Sequence, residues 1–216
     1  MKIAKLQQFE QVVIKLVNLI LKRAKMEDTM FLDFNKIPSL SSEFEELYAV
    51  RRDLAELLKS ICKSCGAMTI YTMLAQYLSQ AVARQSQTTD SDELISNYLD
   101  MECLLFCVTQ LVKCLDSSQI GQIKDVVLLV QNLIDSSVQP SLCEKYVAMR
   151  LQCTNFISSI SHPLGKFGND AATEVKIFTQ FVLNGFLDAK LTLTPSSSCF
   201  VTLCHDCSDV LSPFTE

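Results

Sequence analysis

Apolar side chains recur once per helical turn along almost the whole chain, and this period limits the fold more than any other feature. In the first segment Leu6, Phe9, Val13, Leu16, Val17 and Ile20 fall on one stripe, with Lys15, Asn18 and Lys22 opposite. Residues three and four apart share one face of an α-helix, so the stripe can be buried while the lysines stay in water. The second segment repeats the pattern with Phe44, Leu47, Val50, Leu54, Leu57, Leu58 and Ile61, and the third with Met68, Tyr71, Leu74, Leu78 and Val82. The spacing predicts helices over about 3–25, 42–65, 68–84, 93–115, 120–136, 140–160, 170–188 and 196–211. No segment reads as a strand.

The punctuation between these segments agrees. Five glycines and five prolines in 216 residues are too few for a sandwich or barrel, which turns every ten residues or so. Ser42 with Glu45 three residues on is a capping-box signature, and Gly66 suits a helix stop. "RQSQTTDSDE" reads as a loop, and its acids Asp90, Asp92 and Glu93 would offset the dipole at the next helix start. Pro140 stands near the first position of the sixth helix, and "SHPLGKFGND" is expected to end it, which places His162 and Pro163 in a loop. Short loops make neighbouring helices antiparallel. Successive helix pairs take roughly 45 residues, near the period of HEAT-type repeats. The expected fold is all-α: one HEAT-like α-solenoid segment over residues 1–216, with eight antiparallel helices in four hairpins.

Several function classes lack their signatures. No two glycines come closer than Gly165 and Gly168, so there is neither a dinucleotide fingerprint nor a Walker A loop. A net charge of −5 gives no basic footprint, and direct nucleic-acid binding is not expected. "QVVIKLVNLIL" is too short and too interrupted to span a bilayer, so no membrane partner is expected.

Ten cysteines fit a reducing compartment better than a disulfide scaffold. Two Cys-x-x-Cys pairs need a decision: Cys62 with Cys65, and Cys204 with Cys207 around His205. A structural zinc site sets such a pair in a tight turn and has a second pair about 12 to 20 residues on. These pairs stand about 140 residues apart. A redox pair opens a helix, where the dipole lowers the thiol pKa, whereas both pairs here sit late in their helices. Leu203, Cys204, Cys207 and Leu211 trace one apolar face, and Cys103, Cys107 and Cys114 take the spacing of core leucines on the fourth helix. The thiols are therefore read as core filler, with no metal, cofactor or catalytic residue assigned. His205 is expected to point to solvent, and Arg51 and Arg52 to lie on a solvated face with ion pairs to Glu45, Glu56 or the preceding loop.

Three segments carry a resemblance. "FEELYAVRRDLAELLKSICKSCG" resembles the F-x-x-F-R-x-x-x-x-D-x-L helix of the importin-β superfamily, in its transportin-SR and importin-thirteen branch, through Phe44, Tyr48, Arg51, Asp53 and Leu57. "YLDMECLLFCVTQLVKCL" is similar to the family's W-x-x-x-E-A-x-L-F helix, with Glu102, Leu105 and Phe106 matching, Tyr98 at the tryptophan position and Cys103 at the alanine. "PSSSCFVTLCHDCSDVLSP" looks like the A-x-x-A-L-x-x-L-C-x-x-C helix, with Leu203, Cys204 and Cys207 in register. The resemblance covers about residues 42–213 and implies an internal HEAT-repeat segment of a nuclear transport receptor, a protein without a catalytic centre. It implies protein cargo and, within a longer chain, the GTPase Ran as partners, and a cytoplasmic and nuclear location. Two other classes stand beside it: a generic α-helical interaction scaffold, and a small zinc or thiol redox protein. A segment of a longer stack would expose apolar ends, so self-association through Phe9, Val13, Leu16 and Ile20 is also expected.

Overall fold

A computed structural model describes residues 2–28, 30, 42–85, 87–116, 119–134, 146–187 and 193–212. Among these the chain is all-helical, without a strand. Eight helices of 11 to 24 residues follow one another: α1 (Lys2–Ala24), α2 (Ser42–Cys65), α3 (Ala67–Gln85), α4 (Ser91–Val112), α5 (Lys124–Ile134), α6 (Val147–Phe167), α7 (Ala172–Leu187) and α8 (Leu193–Asp206). A single turn, α9 (Ser208–Leu211), closes the described chain, and 3-10 turns at Ile120–Ile123 and Gly168–Ala171 lead into α5 and α7.

The period-3.6 reading is met element by element, with shifted ends. α2 ends at Gly66, whose φ of 86° needs a residue without a Cβ. α4 opens two residues earlier than expected because Asp90 caps it, its carboxylate accepting from the backbone N–H of Asp92 and Glu93 at 3.0 Å each. It ends at Val112, short of 115. The stretch 120–123 is 3-10 rather than α, and residues 135 and 136 lie outside the described residues. The Ser42 side chain and Pro140 also lie outside them.

The sixth helix corrects the expectation most. It begins at Val147 after an extended Tyr146, and it runs through His162 and Pro163 to Phe167 rather than ending at 160. A proline inside a helix loses one hydrogen bond and strains the preceding turn, about 3 kcal/mol in isolation. Here Pro163 is buried and Leu164 is 2% exposed, so the extra turn covers apolar surface that a loop would leave wet. Gly168, with φ 55°, ends it. The eighth helix also departs from the single span 196–211: it starts at Leu193 and breaks at Cys207, where φ is −113° and ψ is 23°.

Helices two apart in sequence are neighbours. α2 packs on α4, α4 on α6, and α6 on α8; likewise α3 packs on α5, and α5 on α7. The two sets meet through α2 with α3, α3 with α4, and α7 with α8, while α1 lies on α2 and α4. Among the described residues no substantial packing joins α1 or α2 to α7 or α8. α4 is enclosed almost all round: Leu99, Met101, Leu105, Val108 and Leu111 are fully buried, and so are Cys103 and Cys107. At the first end, Val17 and Ile20 are buried and Val13 and Leu16 half-buried. The apolar residues that α1 leaves in water are instead Val12 and Leu19, and the Phe9 side chain lies outside the described residues. On α2, Val50 and Leu57 face out, against the expected stripe.

Candidate functional site

Arg51 is the centre of the most heavily built polar site. The sequence places it on a solvated face; the structure buries it to 4% exposure, with Glu102 at 1%. Its guanidinium grips the Glu102 carboxylate in a two-pronged pair, Nη1 to Oε1 at 2.7 Å and Nη2 to Oε2 at 2.5 Å. Nε donates to the carbonyl of Ala24 at 2.8 Å, so the last turn of α1 is tied to α2 and α4 by one side chain. The Phe106 ring lies 5.0 Å from the guanidinium carbon. Burial works against the Arg51 charge, but the charge and hydrogen bonds of Glu102 outweigh it and hold the pKa above the usual arginine value. Beside the pair, the Cys103 thiol donates to the Leu21 carbonyl at 3.3 Å. Glu45 and Glu56, the partners expected from sequence, do not reach Arg51; Glu56 pairs with Lys59 at 2.6 Å.

Arg51, with the Phe106 ring, lines a groove of ≈ 500 Å³ that crosses α2, α4 and α6. Its wall carries Tyr48, Arg52 and Lys59 from α2, Gln110 from α4 and Lys113 just past its end, and Asn155 and Ser158 from α6. Thr109 and Gln152 lie deeper, with Gln152 Nε2 3.5 Å from the Thr109 hydroxyl and that hydroxyl donating to Leu105 O at 2.7 Å. The groove is thus built of amides, hydroxyls and ammonium groups over a fixed ion pair. Neither histidine of the chain lines it. A second cleft, ≈ 730 Å³, lies between α1, α3 and α4. There Asp100 takes Lys25 at 2.6 Å, with Arg84 at 3.9 Å.

The thiols divide. Cys62, Cys103, Cys107, Cys153, Cys199 and Cys207 are buried, Cys65 and Cys114 half-buried, and all are free. Burial pushes the thiols of Cys62 and Cys199 up to about 12 and that of Cys207 up to about 11, opposite to the shift a nucleophile or metal ligand needs. Among the described residues no group of three or more His, Cys, Asp or Glu side chains could hold a metal ion. The correction is Cys204: it is exposed, so it is not part of the apolar face, and Cys207 alone turns inward to donate to the Ser161 carbonyl at 3.4 Å.

Ser161, Asp206 and His205 do meet, in an order unlike that of a hydrolase. Asp206 sits in the middle, accepting from Ser161 Oγ at 2.9 Å and lying 2.8 Å from His205 Nδ1. A nucleophilic serine has to give its proton to the histidine, with the carboxylate behind. Here the hydroxyl is held by the carboxylate, and the imidazole points to solvent as the sequence predicts. Partial burial raises the Asp206 carboxyl, but hydrogen bonds from His205 and Ser161 and the charges of His205 and His162 prevail and set it below the usual aspartate value. The cluster fastens α8 onto α6, where Gly165 lets the Asp206 carbonyl approach so closely that a Cβ would sit 1.9 Å from it.

No protein-family model, curated protein or solved structure matches the chain. No helix among the described residues is long and apolar enough to cross a membrane.

Proposed function

We propose that the chain is a HEAT-type α-solenoid segment of a nuclear transport receptor, a non-catalytic scaffold whose α2–α4–α6 groove receives protein. The observation that carries this reading is the Arg51–Glu102 pair. Arg51 belongs to the first family-like segment and Glu102 to the second, so one charged residue of each likeness is the other's partner. Side-by-side packing of helices two apart, with little to join α1 and α2 to α7 and α8, supports an open stack rather than a closed bundle. Cargo and Ran come from the resemblance, as do transfer between cytoplasm and nucleus. Immobilised protein is exposed to Ran loaded with GTP or GDP. Saturable binding that favours the GTP form supports the transport role; saturable binding that is equal for the two forms removes it and leaves a helical scaffold.

A further inference from the structure

The groove across α2, α4 and α6 has a charge opposite to that of the chain that carries it. The whole sequence sums to −5, yet the groove's wall holds Arg52, Lys59 and Lys113 against one exposed carboxylate, Glu56. Glu56 is taken up by Lys59 at 2.6 Å, and Arg51 by Glu102. Arg52 has only its neighbour Asp53, at 3.7 Å with both side chains about four-fifths in water, and such a pair adds little. Arg52 and Lys113 are the surplus cations. Partial burial and the nearby Lys59 charge hold Lys113 below the usual lysine pKa, against an opposing contribution from Cys114. The same groove is lined by Gln110, Asn155 and Ser158, groups that both donate and accept and so match the N–H and C=O of a main chain.

Resting on the reading of this face as a protein-binding groove, we infer that its partner is an extended acidic peptide segment, with carboxylates set against Arg52 and Lys113 and its main chain against Gln110, Asn155 and Ser158. A peptide suits the site better than a nucleic acid. The surplus is two cations rather than a phosphate-length stripe, and the net negative charge of the chain repels a polyanion at longer range.

The test is fluorescence anisotropy on the full chain with two short labelled peptides, one of alternating Glu and Gly, the other of alternating Lys and Gly. An RNA oligonucleotide serves as competitor. The Glu peptide is expected to bind more tightly and to weaken as salt rises. The doubly reversed variant Arg52→Glu/Lys113→Glu, both positions being exposed, is expected to weaken it by about tenfold, and Lys15→Glu on α1 to leave it unchanged. Binding of the Lys peptide that is lost on adding bulk at Ser158 overturns the charge assignment and leaves the protein-binding groove standing. Binding of neither peptide, with the protein folded by circular dichroism, overturns both. Displacement of the Glu peptide by RNA at matched charge overturns the peptide as partner.

Discussion

Replacing Glu102 with glutamine should be the most damaging single-atom change in the chain. The substitution keeps the shape of the side chain, removes its charge and turns one of its two acceptor oxygens into an NH2 donor, leaving the Arg51 guanidinium at 4% exposure with only neutral acceptors, the introduced amide oxygen and Ala24 O, and the Phe106 ring. Breaking a buried ion pair from one side costs about 3–5 kcal/mol, because the remaining charge keeps its desolvation penalty. A domain of this size holds about 5–15 kcal/mol in all, so the loss is a large share of the total. Removing both charges is different. In Arg51→Met/Glu102→Leu no charge is left buried, and the remaining loss is the Nε bond to Ala24 O, about 1 kcal/mol. The double variant should therefore lie within about 1–2 kcal/mol of the parent, giving a coupling above about 3 kcal/mol. Urea unfolding followed by circular dichroism on the parent, Arg51→Met, Glu102→Leu and the double variant measures the coupling, and the same assay on Glu102→Gln measures the cost of the lost charge. Additive single effects, or a Glu102→Gln cost under about 1 kcal/mol, would show that the pair is not the buried clamp described.

Four further outcomes follow from other parts of the structure. Gly165→Ala should cost at least about 1–3 kcal/mol, since its Cβ meets the Asp206 carbonyl at 1.9 Å and backbone must move; an unchanged melting temperature would deny that α6 and α8 touch there. Tyr71→Phe should be neutral or stabilising by about 1 kcal/mol, because the buried hydroxyl has no hydrogen-bond partner among the described residues; a clear loss of stability would reveal one. Asp206 has a folded pKa below its unfolded value, so its contribution is complete above the ordinary carboxylate range and fades as pH falls through the lowered value; Asp206→Asn should flatten the acid limb of a stability–pH curve, and an unaltered limb would count against the cluster. Iodoacetamide at neutral pH should label Cys204 first and leave Cys62, Cys199 and Cys207 until the chain unfolds; labelling at one common rate, read by peptide mass spectrometry, would contradict their burial.

The helices were legible because burial of a stripe needs only local spacing, and Val126, Val127, Val130, Leu133 and Ile134 are all buried as the period requires. Arg51 was misplaced because its partner is fifty-one residues away, and no local rule pairs a helix arginine with a glutamate on another helix. Pro163 departs for a related reason: the cost of a proline in a helix is local, whereas the burial of Pro163 and Leu164 that offsets it belongs to the packing of α6 against the rest of the fold. Cys204 and Cys207 share a spacing, yet the helix breaks at Cys207 and the two thiols part. The groove was invisible in sequence because its wall is shared among three helices, and its cations are scattered singly through a chain of net negative charge.

Methyl and aromatic nuclear Overhauser contacts on the labelled full chain measure most directly whether helices two apart lie side by side. The expected map joins α2 to α4, α4 to α6, α6 to α8, α3 to α5 and α5 to α7, and includes the Tyr98 and Tyr146 rings, whose centroids are 4.7 Å apart. A map that instead joins α1 and α2 to α7 and α8, as in a closed bundle, would contradict the open stack and the groove drawn across it.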